Sequence, residues 1–268
     1  DAVIHMVAMN GVDSRRAIDV FAGHVPRMVV ASSQDVYGAF GGLLRKEEVE
    51  RNGGGIREES PVRTKRYLYG GIYEKLDVEE AFQEASHALP VCIVRMCATY
   101  GGMDPRQRLY PWVRRMEEGR RAVVMEAASG NFRWTHGYAE NVARAFVLAA
   151  TKPEAANRVY NVGELKTPTQ GERVHAIGRA AGWRGQVVMV PREECPEHLL
   201  RDIDFRHDVV VDSSAIRQEL GYEELVSAEE GLKRTVAWQR GVCPVRVDPR
   251  EFDYGAEDRV LKTYGLGG

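Results

Sequence analysis

The sequence has little that would suit a membrane, a nucleic acid or a disulfide framework. Its longest aliphatic runs, such as residues 145–150, are far shorter than the roughly 20 apolar residues that cross a bilayer. The net charge of -2 gives no general attraction to nucleic acid or to an anionic membrane. The four cysteines show no CxxC spacing, which favours reduced thiols. We therefore expect a cytoplasmic globular protein with no nucleic-acid or membrane partner.

The length and the first residue set a second expectation. A chain of 268 residues suits one large α/β domain or two closely joined lobes, and it is long enough to bury a full core. It begins at Asp1, without Met, and enters a strand-like segment at once. We expect that the natural protein contains a region that precedes this chain.

Alternating strand and helix patterns predict a parallel sheet. A buried strand at residues 1–8, a helix that begins at Asp13 and a strand at 27–31 form a βαβ pattern within about thirty residues. Further strands are predicted at residues 90–94, 122–125, 158–163 and 186–190. Further helices are predicted at residues 72–86, 105–118 and 138–150, and after a capping box of Thr169 and Glu172. The tail after residue 244 shows no clear pattern.

Two serines follow the second predicted strand. Ser32 and Ser33 end an apolar run at the point where ligands bind in open α/β sheets, beyond the carboxyl ends of the strands. The alternative is that they only end the strand and begin a turn, as serine often does. The neighbouring motifs favour a ligand-facing corner.

A glycine run and an arginine cluster are both candidate anion sites. Residues 52–55 lie in a charged stretch with no preceding strand, so we interpret residues 39–66 as a surface loop or lid rather than a phosphate cradle. The arginines of residues 105–121 allow two interpretations. They form a solvated helix face, supported by Glu117 and Glu118, or a site for an anionic substrate, because arginine matches phosphate geometry.

Histidines and carboxylates near the end of the chain do not predict a metal site. They are His198, Asp202, Asp204, His207 and Asp208. Their spacing fits no standard set of ligands, so we interpret residues 192–208 as a charged loop between lobes. His136 stands alone among aromatic residues and is interpreted as a structural histidine.

Six short motifs occur in one order between residues 1 and 222. They lie at residues 1–8, 32–38, 95–102, 133–145, 160–163 and 212–222. In that order they resemble the patterns DxVxHxAA, SSxxVYG, RxxxxYGP, RDFxHVxDVAxA, YNVG and DxSKxxxxLGW of the extended short-chain dehydrogenase/reductases, the group of nucleotide-sugar epimerases and dehydratases. Gly102 stands in place of the motif's Pro, and Ala215 in place of its Lys.

The resemblance implies an α/β fold with a Rossmann-like, doubly wound parallel sheet and a smaller C-terminal substrate lobe. Residues 1–100 would form a partial dinucleotide-binding domain. Residues 101–268 would form mainly the substrate-binding lobe, with 133–163 returning to the sheet. The family's opening strand and GxxGxxG loop, which seat the NAD(P) pyrophosphate, are absent from the sequence. The sheet would therefore lack its first strands and leave the strand at residues 2–8 as an open edge.

The resemblance also implies roles for individual residues. Ser33 would hydrogen-bond the substrate hydroxyl or carbonyl, Lys75 would hold the nicotinamide ribose, and Tyr73 would be the general base. NAD or NADP would also lie against Ala8, Ser32, Met96 and Cys97. The substrate-binding residues would be Tyr37, Arg133 and Arg206, with the two arginines gripping a nucleotide diphosphate.

The family's Tyr-x-x-x-Lys pair is broken in this sequence. The chemistry needs a phenol near an amine whose charge lowers the phenol's pKa. Gly71 lies four residues before Lys75, and Asp77 lies four residues after Tyr73. On a regular helix Tyr73 would lie about 200° from Lys75, so the two side chains would diverge. Two tyrosines that precede the helix are alternatives, Tyr67 and Tyr69.

Three hypotheses follow. The first is an NAD(P)-dependent epimerase, dehydratase or reductase that acts on a nucleotide-sugar-like substrate, with a homodimer as one option for its assembly. The second is a non-catalytic, nucleotide-binding relative that has lost the Tyr-x-x-x-Lys pair. The third is an RNA-associated relative, motivated by the arginine cluster and opposed by the near-neutral net charge.

Overall fold

A computed structural model describes residues 1–50, 54–66, 72–241 and 248–266. The predictions that concern Tyr67, Tyr69, Gly71 and residues 52–53 lie outside these ranges. Within them, no helix is long and apolar enough to cross a membrane. Cys92, Cys97 and Cys195 are buried free thiols.

Strands and helices alternate along most of the described chain. The strands are β1 Val3–His5, β2 Met28–Ser33, β3 Val91–Met96, β4 Ala98–Tyr100, β5 Ala122–Glu126, β6 His136–Tyr138, β7 Val159–Val162 and β8 Gln186–Val190. The helices are α1 Gly11–Phe21, α2 Gly38–Leu43, α3 Lys75–Glu84, α4 Tyr110–Glu117, α5 Ala127–Asn131, α6 Ala139–Thr151, α7 Gln170–Ala181, α8 Ser214–Leu220, α9 Ala228–Gly241 and α10 Tyr254–Thr263.

The main sheet is parallel and covered by helices on both faces. Its strand order is β1-β2-β3-β7. Met28 and Val30 pack on one face with residues of α1 and α3. Val29 and Ala31 pack on the other face with residues of α6 and α8. This alternation of side chains confirms the predicted Rossmann-like, doubly wound sheet, in which β1 is an edge strand.

A second layer of packing follows the main sheet along the chain. Helices α4, α7 and α9 enclose one apolar core. Strands β5 and β8 form a parallel pair that packs against α10. The absence of pattern after residue 244 was a wrong prediction, because α10 forms there. Its buried side includes the carboxylate of Glu257, which lies 2.6 Å from Arg115 Nη2, so hydrophobic periodicity does not reveal it.

The starts of α1 and α3 differ from the predicted ones. Helix α1 is capped by Asn10, not Asp13, because the Asn10 side chain accepts hydrogen bonds from the amides of Val12 and Asp13. Helix α3 begins at Lys75 rather than at residue 72, with Glu74 as its extended N-cap residue. The capping box of α7 is confirmed.

A buried ion pair fixes α3 against the sheet. Arg95 in β3 donates from Nε and Nη2 to the two carboxylate oxygens of Glu79 in α3, over 2.9 and 2.7 Å. Both side chains are 5% exposed. The Ser32 hydroxyl at the end of β2 also donates to Glu79. One carboxylate therefore joins α3 to two neighbouring strands.

The same arginine connects two further motifs. Arg95 Nη1 donates to the hydroxyl of Tyr37 over 2.9 Å. That hydroxyl donates to Asn161 Oδ1 in β7 over 2.7 Å. Arg95, Tyr37 and Asn161 belong to three of the motifs that carry the resemblance, and the structure shows that these residues contact one another.

Replacing Glu79 by Ala is expected to destabilise the fold by about 3–5 kcal/mol, because Arg95 would stay buried without its partner. The matched control is Glu80→Ala, since Glu80 is the next residue of α3 but pairs with Arg66 on the surface. Its loss should cost less than about 1 kcal/mol. Urea unfolding measures both changes. Equal effects of the two substitutions would show that the buried pair does not anchor α3.

Candidate active site

A cavity of about 690 Å³ lies at the carboxyl ends of the central strands. The register of the sheet places Ser33 directly opposite Met96. The residues that reach the cavity from the strand ends include Ser32, Ser33, Met96 and Cys97. Tyr73 and Lys75 reach it from the start of α3. The structure thus brings together the three predicted catalytic residues and most of the predicted cofactor-binding residues.

Ser33 begins a turn and also lines the cavity. Its Oγ accepts a hydrogen bond from the amide of Asp35 over 3.2 Å and begins the 3₁₀ turn Gln34–Val36. The same side chain lines the cavity. The serine therefore ends the strand and faces the space where a ligand would bind.

Lys75 is held in the cavity by two main-chain carbonyls, one in the segment that follows β1 and one in β2. It is 3% exposed, and its Nζ donates to the carbonyl oxygens of Ala8 and Ala31. Burial lowers the pKa of Lys75 to about 8, against the opposing charges of Asp35 and Glu79. An ammonium group has three N–H donors, so one donor remains after these two bonds.

Tyr73 and Lys75 lie side by side, and the predicted divergence of the two is wrong. Lys75 Nζ lies 5.4 Å from the centre of the Tyr73 ring. The helical geometry assumed for the pair does not apply, because α3 begins only at Lys75 and Glu74 is extended, with φ -152°. The chain therefore turns the Tyr73 ring back toward the lysine.

Asp35 is a site residue that the sequence reasoning missed. Its Oδ2 accepts a hydrogen bond from the Tyr73 hydroxyl over 2.7 Å. Its Oδ1 is buried without a hydrogen-bond partner among the described residues. Burial raises the pKa of Asp35, although Tyr73 and Ser33 oppose this shift. The available signal was a carboxylate two residues after Ser33, at a variable position of the motif.

The three predicted substrate-binding residues lie outside this cavity. Tyr37 is fully buried, and its hydroxyl is bound to Arg95 and Asn161. Arg133 donates to the carbonyl of Thr167 over 3.1 Å at the surface. Arg206 pairs with Asp204 beside a second cavity. The side chains of all three residues thus bind other residues of this chain.

The arginines of residues 105–121 divide into two groups in the structure. Helix α4 begins at Tyr110 rather than at residue 105, so Arg106 and Arg108 lie in the preceding loop and line the cavity. Arg108 Nη1 lies 2.7 Å from Asp104 Oδ1. Three further arginines instead contact the C-terminal segment that contains α10: Arg114, Arg115 and Arg120.

His136 and the histidines and carboxylates of residues 198–208 are the remaining candidates from the sequence. In the described ranges, no group of three or more His, Cys, Asp or Glu residues could hold a metal ion. His136 is buried, and one ring nitrogen lies 2.7 Å from the carbonyl of Trp134. Burial holds the pKa of His136 well below its usual range. Burial also raises the pKa of Cys97 to about 12, so its thiol remains neutral beside the cavity.

Comparison with known proteins gives the family. The model of the NAD dependent epimerase/dehydratase family matches residues 1–163. The chain belongs to this family. A curated relative named dTDP-glucose 4,6-dehydratase from Streptomyces niveus is 26% identical over 238 residues, which cover 87% of this chain. The match covers 63% of that dehydratase, so this epimerase/dehydratase-family chain spans less than two thirds of its relative's length.

Solved structures share the fold of this family member. A UDP-glucose 4-epimerase from Thermotoga maritima, solved with UDP-glucose, is 22% identical with a TM-score of 0.64; the match covers 86% of this chain and 68% of the epimerase. The protein RMD from Pseudomonas aeruginosa, complexed with NADPH, is 16% identical with a TM-score of 0.65, over 90% and 82% of the two chains. Both similarities establish the fold.

The buried lysine of this epimerase/dehydratase-family chain should titrate near pH 8. In the folded state Lys75 loses its proton before the unfolded state does, because its pKa is lowered from 10.5 to about 8. Its contribution to stability therefore rises as the pH increases between these values. Side-chain NMR of the lysines is the measurement, with Lys75→Met to assign the resonance.

The control is Lys233, whose pKa is raised by Glu229 at the surface. Lys233→Met should remove a resonance that titrates above the ordinary lysine range. If the resonance lost in Lys75→Met titrates together with that of Lys233, the buried environment described for Lys75 is incorrect.

Proposed function

We propose that this chain supplies the reactive side of an NAD(P)-dependent epimerase, dehydratase or reductase that acts on a sugar nucleotide or a similar substrate by hydride transfer. The observation that carries the proposal is the meeting of Ser33, Tyr73 and Lys75 in one cavity at the carboxyl ends of the strands. The names of the relatives support the substrate class, since they include a dTDP-glucose dehydratase and an epimerase with UDP-glucose.

The residues around this cavity fit the nicotinamide end of NAD or NADP. Lys75 retains one ammonium donor beside its two bonds to carbonyl groups, and this donor suits a ribose hydroxyl. Ala8 and Ser32 would hold the cofactor through their main-chain groups, and Met96 and Cys97 would lie near its ring. When bound, the cofactor would accept or return a hydride at the substrate carbon.

The side chains of this chain would control the substrate oxygen and its proton. The Ser33 hydroxyl would hydrogen-bond the substrate hydroxyl or carbonyl. Tyr73 would exchange a proton with that oxygen, and the positive charge of Lys75 at 5.4 Å from its ring would favour the phenolate. This charge acts through space, because Lys75 Nζ donates to the main-chain carbonyls of Ala8 and Ala31.

A phosphate-bearing substrate would also find cations in this cavity. Arg106 and Arg108 line the same cavity as Ser33. We therefore propose that these two residues bind the diphosphate of the substrate. Arg133 and Arg206 are less suitable, because their contacts lie away from this cavity. The cytoplasmic location and the homodimer stay predictions from the sequence.

A non-catalytic, nucleotide-binding protein is the second candidate function. The observation that favours it is Gly71, which stands where the family pattern has the tyrosine of Tyr-x-x-x-Lys. This candidate predicts binding of NAD(P) without turnover. Hydride transfer that depends on Ser33 would exclude it.

Lys75→Met is expected to weaken the binding of NADH or NADPH by roughly 10- to 100-fold, because it removes a charge-assisted hydrogen bond. Cofactor fluorescence measures this change. Lys152→Met is the control, since Lys152 is exposed and outside the cavity. Failure of the wild-type protein to bind either cofactor would reject the proposed function.

Ser33→Ala should lower turnover by about 10²-fold, because the substrate oxygen loses a hydrogen-bond donor in the transition state. The dissociation constant of the cofactor should stay the same. Ser60→Ala is the matched control, because Ser60 also accepts a main-chain amide in a turn but does not line the cavity. Comparable losses in both variants would remove Ser33 from the proposed chemistry.

A further inference from the structure

One carboxylate in the cavity has two differently engaged oxygens. Asp35 Oδ2 accepts the hydroxyl of Tyr73 over 2.7 Å. Asp35 Oδ1 is buried and makes no hydrogen bond with any described residue. Asp35 also lines the cavity beside Ser33 and Tyr73. Because buried polar atoms are normally paired, this unpaired oxygen marks the carboxylate as part of a ligand-facing site.

The groups around Asp35 are mainly cations and hydrogen-bond donors. Arg63 Nε donates to the Asp35 carbonyl oxygen over 2.6 Å, and the Arg63 side chain is itself paired with Glu74. Lys75 contributes positive charge from the start of α3. The main-chain amide of Asp35 donates a hydrogen bond to Ser33 Oγ. Arg63 and Ser33 thus fix the main chain of Asp35, and the Tyr73 hydroxyl binds its carboxylate.

The position of Lys75 relative to Tyr73 differs from the family pattern. In the family the lysine lies four residues after the tyrosine, whereas here the spacing is two. Lys75 Nζ donates its hydrogen bonds to the carbonyls of Ala8 and Ala31. The phenol is instead bound to a carboxylate, which can accept a proton.

Building on the proposed function, we propose that Asp35 is the proton acceptor behind Tyr73. As Tyr73 Oη takes the proton of a substrate hydroxyl, the phenol's own proton passes to Asp35 Oδ2. The substrate O–H and the tyrosine O–H bonds break, and new O–H bonds form at Tyr73 and Asp35. Asp35 becomes neutral, Tyr73 is unchanged, and the reverse direction returns the proton.

The ionisation behaviour of Asp35 suits this role. Its pKa is raised by burial, while Tyr73, Ser33, Arg63 and Lys75 each oppose the shift. A carboxylate with a raised pKa is a stronger proton acceptor than an exposed aspartate. The acceptor works only when ionised, so activity should fall as the pH decreases through the pKa of Asp35.

A titration tests the pairing without any reaction. NMR of aspartate ¹³Cγ nuclei, with Asp35→Asn to assign the resonance, reports the pKa of Asp35. Tyr73→Phe should raise that pKa further, because the lost hydrogen bond stabilises the ionised carboxylate. Tyr160→Phe is the control, since the Tyr160 hydroxyl binds Glu219 over 2.7 Å away from the cavity. An Asp35 pKa that is the same in the wild type and in Tyr73→Phe would overturn the proposal.

Kinetics test the catalytic use of the pair. Asp35→Asn should lower kcat by about 10²-fold or more, remove the acidic limb of the pH profile and change KM little. Glu219→Gln, which alters the other tyrosine–carboxylate pair, should keep kcat and the limb. If Asp35→Asn binds cofactor normally and keeps the wild-type kcat and pH profile, the proposed role of Asp35 is wrong. The proposed function of the chain would not be affected by that result. Absent cofactor binding in the wild type would overturn the proposed function and, with it, the catalytic use of the pair.

Discussion

The buried ion pair between Arg95 and Glu79 determines where the candidate site can form. A buried pair of this kind adds little net stability, but a lone charge left in its place is strongly unfavourable. The pair therefore fixes one arrangement of α3 against β3. Since Lys75 begins the same helix, its ammonium group is brought under the strand ends, and Ser33 lies at the neighbouring strand end. The geometry of the cavity follows from a contact that lies beneath it.

Much of the fold could be predicted from the sequence, because it depends on regular patterns. The burial of β2 on both faces is visible in its continuous apolar run. The position of Ser33 follows from the end of that strand. The arrangement of Tyr73 and Lys75 could not be predicted, since it depends on a helix start two residues later than the tyrosine. Helix boundaries are set by capping contacts, here those of Glu74, which a periodicity analysis does not resolve.

The motifs themselves report more on architecture than on chemistry. Three motif residues illustrate this: Tyr37, Arg95 and Asn161. Their side chains hydrogen-bond one another in the interior. Asp35, whose carboxylate binds the Tyr73 hydroxyl in the cavity, occupies a variable position of its motif. Motif matching therefore identifies the family well, whereas the proton chemistry must be derived from the geometry.

The place of β7 in the sheet has a consequence for how the chain folds. β3 ends at Met96, and its partner β7 begins only at Val159. Six elements lie between these two strands along the chain: β4, α4, β5, α5, β6 and α6. The pairing of β7 with β3 therefore closes a long loop, which has an entropic cost. Folding should therefore be slow and dominated by contacts distant in sequence. The sheet and the segments between these strands would then be acquired together, as one cooperative unit.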